Sequence, residues 1–312
     1  MYDRYGPPDV LRLVDVPVPA PRAGQVLVEV VATSVNLSDW ECLVGSPAHA
    51  RIGGLRRPAR RVLGSDIAGR VAAVGPGVTR FRPGDEVYGD NLGLKGGFAE
   101  YAVAPESALA AKPASLTFAQ ASTLPQAGAI ALQGTAAAGP GTRVLVNGAG
   151  GGSGSFAIQL AKAAGAHVTG VDNAGKLDHM RSLGADEVVD HRAQDFTRLG
   201  PFDLVLDLAA HRSVFAYRHA LARGGRYLCV GGPVPTMLSV LVVGGVLGRL
   251  TGRRIGVLAV RPGPDHFGPL AERCAAGEVR IHVDRTFDLE EVPAALALVG
   301  AGGARGKVVV EV

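Results

Sequence analysis

An α/β chain, with a doubly wound parallel sheet inserted into a smaller β-rich domain, is the fold class this sequence predicts. Three observations carry that expectation. The first hundred residues read as short alternating strands broken by Gly/Pro turns; strand–helix alternation then takes over; β character returns after about Ile255 and runs to the end at Val312. The expected organisation is therefore a β-rich domain from 1–115, an inserted α/β domain from 116–255, and a return to the first domain over 256–312. At 312 residues the chain exceeds the usual size of a single core, which agrees with two domains.

In the first part, Val26-Leu27-Val28-Glu29-Val30-Val31 reads as a strand. Pro21-Arg22-Ala23-Gly24, Gly75-Pro76-Gly77 and Arg82-Pro83-Gly84-Asp85 read as turns. From Thr117 to Gly134, Ala, Leu and Gln recur at helical spacing. Strands are then expected at 143–147, 167–172, 187–190, 204–207 and 225–230, with helices at 155–164 and 176–183. The final run, Gly306-Lys307-Val308-Val309-Val310-Glu311-Val312, reads as a strand that packs back on the first domain.

Composition narrows the class. With 47% apolar and 19% charged residues the chain reads as globular. Its net charge of +4 comes from scattered arginines; the densest group, Arg56-Arg57-Pro58-Ala59-Arg60-Arg61, is short and carries no aromatic residues, so nucleic acid is not an expected partner. Cys42, Cys229 and Cys274 are odd in number and widely spaced, which points to a reducing, cytoplasmic setting. No signal peptide is visible in Met1–Gly6. The apolar stretch Met237–Leu247 is too short at 11 residues to span a bilayer and reads as a buried or interface helix, so no membrane partner is expected.

The strongest chemical signal is Val144-Leu145-Val146-Asn147-Gly148-Ala149-Gly150-Gly151-Gly152-Ser153-Gly154. Ala149-x-Gly151-x-x-Gly154 has the spacing of a dinucleotide-binding turn between a strand and a helix, the Rossmann arrangement. Ala149 and Gly150 allow the tight turn, Gly151 lets backbone approach a pyrophosphate, and Gly154 lets the helix lie close. Gly152 and Ser153 belong to the same turn, and the helix that follows it faces the phosphates with its free N–H groups. Asp172, at the end of the next strand, is placed to accept from the ribose hydroxyls, which favours NAD(H), or else to cap the turn at Asn173-Ala174-Gly175. Lys176, His191, Arg192 and Arg305 weigh toward a 2′-phosphate, and Lys307 is grouped with these cations. Val230-Gly231-Gly232-Pro233, at the carboxyl end of a strand, is placed to face a nicotinamide.

Several further elements, Val35-Asn36-Leu37-Ser38-Asp39, Gly64-Ser65-Asp66-Ile67-Ala68-Gly69, Arg82-Pro83-Gly84-Asp85, Gly96-Gly97-Phe98-Ala99-Glu100-Tyr101, Ser182-Leu183-Gly184-Ala185-Asp186 and Ala304-Arg305-Gly306-Lys307, follow in order along the chain. With the glycine turn, they resemble the medium-chain dehydrogenase/reductase superfamily in its zinc-less, quinone-oxidoreductase-like branch. The resemblance implies a GroES-like substrate domain, a cleft between domains, NADPH as the commonest cofactor, and a homodimer. Zinc-dependent members of that superfamily place Cys where this chain has Asn36 and His where it has Ser65, and neither replacement is a good zinc ligand. Without a Lewis acid, hydride transfer from NADPH to a quinone, enone or other activated C=C is the expected reaction, on a small hydrophobic substrate. A zinc-independent alcohol dehydrogenase or ketone reductase is the alternative enzyme, and a non-catalytic NADPH-binding sensor the alternative of another class.

Among candidate catalytic residues, Asn36 either donates to a substrate carbonyl or the nicotinamide or caps a turn. Ser38 and Asp39 order the same loop, with Asp39 a proton donor only if its pKa is raised. Some enoyl-reducing relatives carry a tyrosine in the following loop, but none lies between Trp40 and Leu63 here. The expected proton source is therefore solvent or His49.

Overall fold

The computed structural model describes residues 1–312 except Gly53. In chain order the strands and helices are β1 (Gln25–Val35), α1 (Leu37–Val44), β2 (Asp66–Val74), β3 (Glu86–Asp90), β4 (Tyr101–Pro105), β5 (Leu109–Ala111), α2 (Phe118–Ser122) and α3 (Pro125–Thr135). The series continues with β6 (Arg143–Asn147), α4 (Gly152–Ala163), β7 (His167–Asp172), α5 (Leu177–Ser182), β8 (Glu187–Asp190), β9 (Phe202–Asp207) and α6 (Val214–Ala220). It closes with β10 (Leu221–Cys229), α7 (Val234–Thr251), β11 (Arg254–Val257), α8 (Pro264–Ala275), β12 (Val283–Asp288), α9 (Val292–Gly300) and β13 (Lys307–Glu311). The chain forms two compact units, one of residues 1–129 and 261–312, the other of 130–260. Both crossings between units fall later in the chain than the change of residue texture suggests.

The first unit is built on a seven-stranded sheet ordered β12-β13-β1-β2-β3-β5, with β4 on the amino half of β1. The last strand does return to it: β13 pairs antiparallel with β1, Val35 opposite Val308, and parallel with β12. Alternation along β1 sends Val26, Val28 and Val30 into one apolar cluster with Ile67 and Val87. A second cluster gathers Val35, Leu43, Leu63, Leu296 and Val308 beneath α1 and α9. The expected single helical stretch over 117–134 is two helices. Thr117 caps α2 by accepting from the backbone N–H of Gln120, and Pro125 opens α3, where its missing N–H costs nothing.

The second unit carries six parallel strands in the order β11-β10-β9-β6-β7-β8. This is the doubly wound Rossmann order, in which the chain leaves β6 toward β7 on one side and returns as β9 on the other. The carboxyl ends of β6 and β9 therefore flank the switch point where such sheets bind ligands. Leu145, Val205, Tyr217 and Tyr227 are among the buried residues of its core.

The apolar stretch after β10 differs from expectation. Its helix, α7, runs for 18 residues and is long and apolar enough, by length and composition, to cross a membrane. It is also mostly uncovered: Leu238, Leu241, Val242, Val246 and Leu250 are exposed. Gly244 and Gly248 do not break it because they face β11. A Cβ on Gly248 would lie 2.7 Å from the Arg253 carbonyl oxygen, so these glycines set how closely the strand approaches.

Candidate dinucleotide and substrate sites

The glycine turn of the second unit has the geometry its spacing demands. Gly148 takes φ 81°, a left-handed conformation that suits glycine. A Cβ on Gly154 would sit 2.3 Å from the Gly148 carbonyl oxygen and 2.5 Å from the Ala149 Cα, so only glycine lets α4 lie against the turn. Gly151 is the N-cap of α4 and offers no side chain to the first turn, leaving the amides of Gly152, Ser153 and Gly154 without intrahelical acceptors. They suit a pyrophosphate with no rearrangement. Ser155 is turned away from this surface: its Oγ donates to the Gly151 carbonyl and lies 3.1 Å from His179 Nε2.

Asp172 takes the second of its two expected parts, that of a turn cap. Its Oδ2 accepts from the Gly150 amide at 3.0 Å. Its Oδ1 accepts from the Asn173 backbone and side chain, and Lys176 Nζ stands 3.4 Å away. The carboxylate thus secures the glycine turn and caps the next one instead of standing open to a ribose. Lys176 is itself buried, so its charge is spent largely on Asp172. His191 and Arg192 are exposed, and the His191 amide donates to the Asp172 carbonyl, which places both residues beside the end of β7.

At the far side of the switch point, Val230 N donates to Asp207 O and Ala210 N to Gly231 O. A Cβ on Gly232 would lie 2.4 Å from the Ala210 carbonyl oxygen. The loop Val230-Gly231-Gly232 is thereby fixed to the tip of β9. Burial raises the Cys229 thiol to about 11, and that of Cys274, in the first unit, to about 12. Neither is a thiolate nucleophile near neutral pH.

The first unit brings together Asn36, Asp39, Ser65, Asp66, Lys95 and Lys307, all buried. Asn36 Nδ2 donates to Asp66 Oδ2 at 2.9 Å and to Ser65 Oγ at 3.2 Å, and its Oδ1 accepts from Lys307 Nζ at 2.7 Å. An ammonium only donates and a carboxylate accepts, so these partners set the amide's orientation. Both of its N–H groups are used, which corrects the expectation of a free donor to substrate. Asp39 accepts from Lys95 Nζ at 3.0 Å and from the amides of Asn36 and Gly64. Three donors, one cationic, hold this side chain in place at the start of α1. Ser38 Oγ is 3.1 Å from Gln126 Oε1.

Lys307 also departs from expectation. Its ammonium is interior, 3.5 Å from Asp66, and offers no charge to a dinucleotide. Burial pulls Lys307 down and pushes Asp66 up, each against the attraction of the other. Arg305 remains at the surface, 3.6 Å from Asp284. His49 is exposed, 3.9 Å from Glu41, outside this cluster.

Lys95, Asp66 and Asp90 are the residues that sequence reasoning missed. Lys95 carries φ 56°, a left-handed conformation unusual without glycine, held by its buried bond to Asp39. Asp90 faces Asp66 across the β2–β3 pair. With Asp39 paired to Lys95 and Asp66 to Lys307, it is the third carboxylate against two ammonium groups. Burial, then Asp66, raises it to about 7. A raised folded-state pKa contributes stability in full below about pH 4, and that contribution is lost as pH rises toward 7. Asp90→Asn, which keeps an acceptor for Leu92 N, is therefore expected to be more stable than the wild type by about 2 kcal/mol at pH 8. At pH 4 it should show no gain, and denaturant melts at the two pH values check this. An equal change at both would mean that Asp90 does not titrate in this window.

One unit carries a six-stranded doubly wound sheet with a built pyrophosphate cradle and the other a buried polar cluster, the make-up of a dinucleotide-dependent oxidoreductase. The family descriptions "Alcohol dehydrogenase GroES-like domain" and "Zinc-binding dehydrogenase" match residues 22–114 and 183–310. The chain is 32% identical to the chloroplastic quinone-oxidoreductase QR1 of Triphysaria versicolor, over 99% of this chain and 97% of that protein. It is 33% identical to the mitochondrial NAD(P)H oxidoreductase RTN4IP1 of Homo sapiens, over 99% and 88%. The solved quinone oxidoreductase of Coxiella burnetii matches with a TM-score of 0.90 and 31% identity, over 100% and 98%. This chain belongs to the medium-chain dehydrogenase/reductase superfamily, in its quinone-oxidoreductase-like branch. It is an oxidoreductase with a nicotinamide cofactor.

Proposed function

We propose that this chain uses NADPH to reduce a conjugated acceptor, a quinone or an enone, without a metal ion, as a cytoplasmic homodimer. The observation that carries the reading is the saturated Asn36 amide. Where zinc-dependent relatives carry a cysteine, this chain has a side chain whose donors are spent on Ser65 and Asp66 and whose oxygen holds Lys307. Such a set lacks the ligands that bring zinc to an alkoxide. A conjugated acceptor needs no such help, because its own carbonyl delocalises the arriving negative charge. The names of the relatives support the same acceptor class.

When bound, the cofactor supplies the hydride. The chain's part is to hold it: Gly152–Gly154 amides on the pyrophosphate, and the fixed Val230–Gly232 loop at the other side of the switch point. NADPH is favoured over NADH because Lys176 offsets the Asp172 charge and exposed His191 and Arg192 stand beside it. A second copy is the proposed cover for the exposed leucines of α7, and sedimentation of the purified chain at a dimer's mass would support it. The unpaired cysteines suit a reducing cytoplasm.

Oxidation of NADPH and NADH is the test, measured against quinones, α,β-unsaturated ketones and simple aldehydes with and without chelator. The expected result is chelator-resistant turnover of a quinone or enone, faster with NADPH. Turnover confined to aldehydes would point to a ketone reductase, and tight binding without turnover to a sensor.

A further inference from the structure

At the switch point of the second unit lies a buried carboxyl group with no cation paired to it. Asp207 ends β9, side by side with Asn147 at the end of β6 and Cys229 at the end of β10. Its carboxyl is wholly buried, and the groups acting on it among the described residues are Tyr217, Asn147, Tyr227 and the Ala209 amide, none of them a cation. Four donors converge on it instead. Asn147 Nδ2 donates to Oδ1 at 2.7 Å and the Ala209 amide to Oδ1 at 3.3 Å. The hydroxyls of Tyr217 and Tyr227 both donate to Oδ2, the latter at 2.8 Å. A carboxylate has about four acceptor sites, and these donors fill them, which is the pattern of an ionised group. Burial works the other way, raising the proton affinity of Asp207, and the four donors oppose it.

We propose that Asp207 is an electrostatic positioning residue, a fixed buried anion between the glycine turn and the Val230–Gly232 loop that favours the oxidised, cationic nicotinamide over the reduced, neutral one. The inference rests on the dinucleotide reading above and deepens it. Hydride donation moves one proton and two electrons to the acceptor, breaks the ring C4–H bond, and leaves one positive charge on the nicotinamide. A negative charge held nearby in a poorly polarisable interior lowers the energy of that product, and equally of the transition state in which the charge develops. The four donors are neutral, so they hold the carboxylate in place without cancelling its field. Within the second unit this separates Asp207 from Asp172, whose charge Lys176 offsets.

The experiment measures dissociation constants of NADP⁺ and NADPH by titration on the full-length protein. In Asp207→Asn the amide replaces the carboxylate in the same volume, and the tyrosine hydroxyls can rotate to accept from it. The expected result is that Kd(NADP⁺)/Kd(NADPH) rises on the order of tenfold. Tyr217→Phe, which keeps the carboxylate and removes one donor, should leave the ratio within about twofold of wild type. Should Asp207→Asn not fold, Asp207→Ser serves as the second neutral variant. Equal weakening of both nucleotides in the neutral variants, or an unchanged ratio, overturns the proposal. Failure of the wild type to bind either nucleotide would overturn the dinucleotide reading instead.

Discussion

Lys307→Met is expected to destabilise the first unit by about 3–5 kcal/mol, the largest effect of any single substitution considered. The ammonium is fully interior, where it meets both Asp66 and Asn36. Removing it leaves the Asp66 carboxylate buried with only neutral donors: Ser34 Oγ, Asn36 Nδ2 and the Gln126 amide. It also leaves Asn36 Oδ1 without a partner. The chain's one tryptophan, Trp40, lies on α1 in the same unit, so its fluorescence reports this unfolding separately from the second unit. The double variant Asp66→Asn/Lys307→Met removes both charges and should be markedly less damaged than Lys307→Met alone, because neutral partners leave no stranded ion. If the double variant instead lost the sum of the two single effects, the pair would not be coupled.

The second large effect is expected at the glycine turn. Gly154→Ala places a methyl group against the backbone of Gly148 and Ala149, which cannot swing aside as a side chain would. The start of α4 has to move away from β6, taking the phosphate-facing amides with it. Overpacking of this kind costs about 1–3 kcal/mol, and NADPH affinity should fall by about tenfold or more. Gly245→Ala is the matched control. It makes the same chemical change inside α7, where a Cβ meets nothing within 4 Å. There the gain in helix propensity should stabilise by roughly 0.5–1 kcal/mol and leave binding unchanged. Calorimetric titration of the two variants with NADPH decides the matter: equal affinities would mean that the close approach at Gly154 does not shape the cradle.

Local patterns carried most of the second unit. The runs at 143–147, 167–172 and 187–190 are strands over those same residues, because each is a short apolar stretch bounded by turn residues. Where glycine has a packing role the pattern misleads. Helix α4 begins at Gly152, not Ser155, since glycines with poor helix propensity are needed in its first turn. The same applies to Gly244 and Gly248 in α7. Strand β10 begins at Leu221, and its register shift before Arg226 hides it from an alternation pattern.

The buried polar cluster was legible only in part. Asn36, Asp39 and Asp66 stand within recognisable elements, but their partners do not. Asp39 and Lys95 are 56 positions apart, and Asp66 and Lys307 are 241 apart. No local spacing announces such pairs; they exist because β13 is laid beside β1 and the loop after β3 turns back at Lys95. Counting charges by segment groups Lys307 with its neighbour Arg305 at the cofactor, although β13 is buried on both faces from Lys307 to Val310.

The place of β13 also bears on how the chain is made. It lies between β12 and β1, a strand that precedes it by about 270 positions. On the ribosome, residues 1–129 emerge with the carboxyl half of β1 paired to β2 on one edge only and Asp66 without its cation. The second unit, contiguous from 130 to 260, has all of its strands at hand much sooner. Vectorial synthesis thus favours completion of the nucleotide-binding unit first, with the amino-terminal strands waiting on β13.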